Sequence, residues 1–190
     1  MKKTATLFYV LVLAILTKTI VASPVTLRSP DGTLELSFEV VDGVPYYALD
    51  RNGQPVVLPS KMGFTLEWRD DLAHAFVMKD TKYSTFDETW EPVWGEEAQI
   101  RNHYNEMLVT LEQPIGSVES MDHSTEQRPT VMKIRFRLYD DGLGFRYEFP
   151  DLLPADLYPE KTFNALVCFW FKEELTEFAM AGDHTAWWIK

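Results

Sequence analysis

A strict two-residue alternation of apolar and polar side chains constrains this chain more than any other feature. Between residues 131 and 149, Met132, Ile134, Phe136 and Leu138 fall on one side, with Lys133, Arg135, Arg137 and Tyr139 on the other. Asp140-Asp141-Gly142 interrupts the pattern, which resumes with Leu143, Phe145, Tyr147 and Phe149 opposite Gly144, Arg146 and Glu148. Successive side chains of a strand point to opposite faces, so the segment reads as an antiparallel hairpin with one buried face. Arg and Glu groups can pair across its outer face. Leu34, Leu36, Phe38 and Val40 alternate with Thr33, Glu35, Ser37 and Glu39 in the same way. Asp42-Gly43 and Asn52-Gly53 are tight-turn dipeptides. They frame a return strand over 44–49, whose Pro45 pushes its start to a sheet edge.

Further short strands are predicted over 56–58, 64–68 and 107–112. Residues 163–171 are apolar except for Asn164, which suits a strand covered on both faces, and 177–180 read as the last strand. Residues 151–160, bracketed by Pro150 and Pro159, read as a loop. Amphipathic helical spacing is almost absent. The expected fold class is all-β, an antiparallel sandwich in a single domain over 23–190.

The first 22 residues read as an address and not as part of that fold. Lys2 and Lys3 precede the unbroken apolar run Leu7 to Leu16, and Ala22 offers a small residue for cleavage. This is the layout of a secretory signal peptide, and the run is shorter than the roughly 20 residues a spanning helix needs. The alternative is an uncleaved anchor. Cleavage is expected before Ser23, with a periplasmic or secreted product. It removes three lysines and no acid, so the net charge of −11 becomes −14. With 18 basic against 29 acidic residues, phosphate neutralisation is a poor basis for function, so nucleic acid is not an expected partner. Nor is an anionic membrane, once the leader is gone. The lone cysteine, Cys168, excludes an internal disulfide and a cysteine-rich metal site, and its apolar neighbours mark it as a small buried residue.

The densest polar-aromatic stretch is Trp90-Glu91-Pro92-Val93-Trp94-Gly95-Glu96-Glu97, followed by Ile100-Arg101-Asn102-His103-Tyr104-Asn105-Glu106. It reads as a long loop that enters a strand near Ile100. Tryptophans in a loop suit stacking on the apolar C–H faces of sugars, and Arg101, Asn102, His103 and Glu106 could bond hydroxyls. Equally, Trp90 and Trp94 could plug one end of the sandwich, with Arg101 paired to Glu96 or Glu97.

Three motifs, taken in order, carry a resemblance. They are the run from Trp90 to Glu106, the run Ile134-Arg135-Phe136-Arg137-Leu138-Tyr139-Asp140-Asp141-Gly142-Leu143-Gly144-Phe145-Arg146-Tyr147, and Thr185-Ala186-Trp187-Trp188-Ile189. Together they resemble the N-terminal domain of glycoside hydrolase family 97, over roughly 25–189. The resemblance implies a large antiparallel sandwich of the galactose mutarotase type. It implies an exported α-glucosidase or α-galactosidase in which this domain packs on a (β/α)-barrel that carries the catalytic carboxylates and a calcium ion. It also implies that the sequence stops before the segment supplying a calcium ligand, so the domain is expected to be partial. No catalytic residue carries over, no cofactor is expected in this chain, and calcium is expected only in a full-length relative.

The contact candidates, to sugar or to the barrel, are Trp90, Trp94, Glu96, Arg101, Asn102, His103, Glu106, Trp187 and Trp188. Three readings stay open. The chain is a non-catalytic module of a family 97 enzyme, with the barrel as its partner and an α-linked oligosaccharide as a possible ligand. Or it is a stand-alone carbohydrate-binding sandwich. Or it is a small mutarotase-like enzyme, for which His103 with Glu106 is the only candidate acid–base pair near the aromatic loop. Residues three apart in a strand face opposite sides, which weakens that pair.

Overall fold

A computed structural model describes residues 23–67, 71–115, 129–150 and 171–183, together with Thr185 and Trp187. Among the described residues there is no helix. Strands β1 (Val25–Arg28), β2 (Leu34–Val41), β3 (Val44–Arg51) and β4 (Gln54–Lys61) form one sheet in sequence order. After the short β5 (Phe64–Leu66), strands β6 (Val77–Trp90), β7 (Ile100–Gln113), β8 (Thr130–Leu138) and β9 (Leu143–Glu148) form a second sheet, again in sequence order. The last strand, β10 (Phe171–Glu174), pairs antiparallel with β5. Every pairing within the two larger sheets is antiparallel.

The turns form as their dipeptides dictate. Asp42 and Gly43 have φ of 50° and 81°, and Asn52 and Gly53 have 51° and 74°. Two consecutive left-handed residues make the turn whose twist matches the flanking strands. Gly43 has a second reason to lack a side chain. A Cβ there would lie 2.7 Å from the Ala75 backbone nitrogen, and Phe76 N–H donates to the Gly43 carbonyl at 2.9 Å. The β2–β3 turn is thereby seated against the segment that leads into β6.

The core lies between the two larger sheets. Leu34, Leu36 and Phe38 of β2 meet Met132, Ile134, Phe136 and Leu138 of β8, and all are buried. Phe38 and Phe136 rings sit 5.7 Å apart, a distance at which tilted aromatic pairs attract. Around Phe64 a second group of rings gathers, with Tyr147 at 4.6 Å and Phe171 at 4.8 Å. These contacts tie β9 and β10 to β5. The inner face expected from the alternation of the hairpin is the observed one.

Several local expectations need correction. Pro45 lies in an inner strand, since β3 sits between β2 and β4. It pairs with Val40, one step from the closing pair Val41–Val44. In a two-residue hairpin that next pair is the non-hydrogen-bonded kind, so the missing N–H costs β2 no bond. Residues 177–180 are not a strand. They run irregularly along the edge of β4, bonded through Leu58 N–H to the Ala179 carbonyl and Ala181 N–H to the Val56 carbonyl. The alternation predicts neither β1 nor β6, and of β10 it reaches only the first residue, Phe171. β6 is exposed on both faces, so it carries no apolar period to detect. The expected loop over 151–160, Trp68, nearly all of the apolar run 163–171 and the N-terminal leader lie outside the described residues.

Candidate functional site

Most of the candidate residues lie on β6, β7 and the loop between them. The register runs from Val77–Glu112 to Trp90–Ile100, with one bulge near Lys79. β8 pairs with β7 only from Asn105 to Gln113. The five pairs from Phe86–Tyr104 to Trp90–Ile100 therefore form a two-stranded ribbon without a third strand. At about 3.4 Å per residue it reaches roughly 17 Å past the last β8 partner.

Alternation sorts the ribbon into two faces. Ser84, Phe86, Glu88 and Trp90 of β6 share the outer face with Glu106, Tyr104, Asn102 and Ile100 of β7, their direct partners. Tyr83, Thr85, Asp87 and Thr89 share the other face with Met107, Asn105, His103 and Arg101. On that second face Arg101 clamps Asp87 through two bonds of 2.8 and 2.7 Å. Hydrogen bonding from Arg101 holds the Asp87 carboxyl below its ordinary range. Arg101 thus pairs neither with Glu96 nor with Glu97, because strand pairing brings Asp87 to it first. Trp90 is 47% exposed and Trp94 88%, so neither plugs an end of the sandwich.

Where the outer face meets the sheet, an ion network forms that the sequence suggested only as cross-strand pairing. Glu106 is buried and receives Arg137 Nε at 2.8 Å and Arg135 Nη1. Arg135 Nε also reaches Glu148 at 2.6 Å, and Arg146 Nε reaches the same carboxylate at 2.9 Å. Burial acts to raise the Glu106 pKa, but the two guanidinium groups prevail and hold it below the usual carboxylate range. Arg135 and then burial act on Glu148, again with a net lowering. Arg137 lies 4.5 Å over the Tyr104 ring, which stacks on Phe86 at 5.3 Å. Arg135, Arg137, Glu148, Tyr104 and Phe86 were missing from the sequence-derived site. The signal for the two arginines was present, because period two places them on one face.

The pairing of His103 with Glu106 does not form. His103 lies opposite Asp87 on one face, while Glu106 lies opposite Ser84 on the other. Asn102 stands across from Glu88, half-buried. Glu96 belongs to the exposed loop 91–99, which Gln99 closes with a 3.3 Å bond to Glu91. Trp187 is 93% exposed, and Trp188 lies outside the described residues. Asp140 is a turn residue that accepts the Asp31 N–H at 2.8 Å and so joins the ends of the two sheets. Between β1 and β6 runs an open crevice of about 330 Å³, lined by Thr26, Arg28, Tyr83, Thr85 and Asn105. Among the described residues no three of His, Cys, Asp and Glu gather as a metal ion would require.

The sequence pattern of the family described as glycosyl-hydrolase 97 N-terminal matches residues 27–190. The chain belongs to that family. Solved structures agree with the assignment. A variant of a glycoside hydrolase family 97 enzyme from Pseudoalteromonas sp. strain K8, in complex with panose, superposes with a TM-score of 0.68 at 26% identity, covering 87% of this chain. The same enzyme in complex with acarbose gives the same score, identity and coverage. A β-arabinopyranosidase, at 20% identity and a TM-score of 0.60 over 82% of this chain, shares the fold. This chain spans only 22% of the length of the Pseudoalteromonas enzyme and 21% of the arabinopyranosidase. As a family 97 N-terminal domain, the sandwich is one part of relatives that carry several times its length.

Proposed function

We propose that the chain is the N-terminal module of an exported family 97 α-glycosidase, without hydrolytic activity of its own, and that it contributes contacts to an α-linked oligosaccharide. The observation that carries this reading is the state of its carboxylates. Glycoside hydrolysis needs a carboxylic acid held protonated, with its pKa raised, beside a second carboxylate at a set separation. Glu106 and Glu148 are shifted the other way by arginine. They are bound as structural ions, and the partner that would supply the chemistry is the (β/α)-barrel. The panose and acarbose complexes of the Pseudoalteromonas enzyme support an α-linked glucoside as the ligand class. The apolar run after Lys2 and Lys3 supports export to the periplasm or medium.

One specific observation favours a second reading, the stand-alone binding sandwich. In the crevice beside β1, Tyr83 is 55% exposed and offers a ring for stacking. A single experiment addresses both readings. The chain is expressed with its leader in a Gram-negative host and purified from the periplasm, where it is expected to begin at Ser23. It is then assayed on an aryl α-glucoside and on panose, with and without calcium. No turnover above the buffer rate is expected. Turnover abolished by Glu106→Gln would overturn the non-catalytic reading, and recovery of soluble protein starting at Met1 would overturn export. Calorimetric panose binding lost in Tyr83→Ala would favour the stand-alone sandwich.

A further inference from the structure

We infer that the outer face of the β8–β9 hairpin, at Arg137 and Gly144, is a binding site for a carboxylated sugar, an inference that goes beyond the module reading above. Planar groups stand there in a row across the sheet. Phe86 of β6 stacks on Tyr104 of β7 with ring centroids 5.3 Å apart, and the Arg137 guanidinium of β8 lies 4.5 Å over the same Tyr104 ring. The row ends at β9, an edge strand. Gly144 stands directly across from Arg137, and nothing lies within 4 Å of the place its Cβ would take. Gly142, joined to Tyr139 across the turn, is open in the same way. Neither glycine has a left-handed φ, so the backbone does not require them. What their missing side chains provide is a bare strip about 7 Å long, flanked by Arg137 and Tyr139.

The groups around the strip select the ligand. Arg137 gives its Nε to Glu106 at 2.8 Å, and its two Nη groups have no hydrogen-bond partner among the described residues. The buried Glu106 and the Tyr104 ring hold the guanidinium in place, so little freedom remains to be lost on binding. A free pair of Nη groups is a fork that matches a carboxylate. The charges agree. Three guanidinium groups, of Arg135, Arg137 and Arg146, share two carboxylates, of Glu106 and Glu148, which leaves one positive charge over. Arg135 is bonded through all three nitrogens, so the free fork belongs to Arg137. At the other end of the strip Asp141 is exposed in the turn and repels a second anion. A molecule with a carboxylate at one side and hydroxyls at the other fits this polarity better than a bare anion. The half-buried Tyr139 ring supplies the plane on which a sugar C–H face packs. The ligand class is therefore a uronic acid residue.

The test is calorimetric titration of the purified chain near neutral pH with D-glucuronate, and with glucose, acetate and inorganic phosphate for comparison. Glucuronate is expected to bind at least about tenfold more tightly than any of the three, because only it engages both the fork and the ring. Arg137→Gln and Arg137→Lys are each expected to weaken it by about tenfold or more, as for the loss of hydrogen bonds to a charged group. Gly144→Leu keeps every charge, places its side chain in open space and is expected to abolish binding without lowering the melting temperature. Glucuronate binding that Gly144→Leu or Arg137→Lys leaves unchanged overturns the inference. So does acetate or phosphate binding as tightly as glucuronate, which would mark a simple anion site, and so does glucose binding as tightly, which would mark a neutral one. No binding of glucuronate overturns the inference and leaves the module reading standing, since that reading is tested by turnover and by panose.

Discussion

Phe136 and Arg135 are sequence neighbours with opposite environments, and they show how position on a strand sets energetic weight. Phe136 has no exposed surface and touches Phe38 and Phe145. Truncation to alanine removes a ring and leaves a cavity, so Phe136→Ala is expected to cost about 3–5 kcal/mol. Period two alone assigns Arg135 to a solvated face, where its loss would cost under about 1 kcal/mol. The structure raises that figure. The Arg135 side chain is 21% exposed and bridges Glu106 to Glu148. Removing it leaves Glu106, buried, with Arg137 as its remaining cation. Arg135→Ala is therefore expected to cost about 1–3 kcal/mol, as for a charged hydrogen bond broken in a half-buried site. Urea unfolding of the two variants checks the order; a costlier Arg135→Ala would mean that the network outweighs the core contact.

Among the elements, the two tight hairpins look alike in sequence and differ in what surrounds them. Gly43 and Gly53 both have left-handed φ, so alanine strains either turn. Only Gly43 faces backbone, with Ala75 atoms at 2.7 and 2.9 Å from a Cβ, whereas nothing lies within 4 Å at Gly53. Gly53→Ala is expected to cost about 1–2 kcal/mol from strain alone. Gly43→Ala is expected to cost about 2–4 kcal/mol, since it must also push the β2–β3 turn off the segment entering β6. Equal thermal melting shifts for the two variants would show that this contact is slack. β6 itself illustrates a limit of pattern reading. Its Lys, Asp, Thr and Glu side chains sit on an exposed edge, where charge discourages pairing with other chains. Those same residues erase the apolar period, so β7 had to define its partner.

For the whole molecule, acid is the condition that acts on both larger sheets at once. Asp31, held by Ser29 and Thr33 in the β1–β2 turn, is lowered to about 2, and Glu106, Glu148 and Asp87 are lowered as well. Each binds a proton less readily when folded than when unfolded. Their stabilisation is therefore complete above the ordinary carboxylate range, about pH 4, and is lost as pH falls through the folded values towards 2. The melting temperature of residues 23–190 is expected to be flat from pH 7 to 5 and to fall steeply below 4. A melting temperature that holds constant down to pH 2 would contradict the paired state of these groups. At this scale the division between what sequence and structure contribute is clear. By itself, the sequence determined the all-β class, the inner face of the β8–β9 hairpin, both tight turns and, through three ordered motifs, the family. These are local or periodic properties, readable wherever one face is apolar and the other polar. Only the tertiary structure decided that Glu106 belongs to Arg135 and Arg137 and not to His103, that Arg101 belongs to Asp87, and that Trp90 and Trp94 stand on a projecting ribbon. Those outcomes depend on strand register and on where β8 stops pairing with β7, and register is set by contacts between residues distant in the chain.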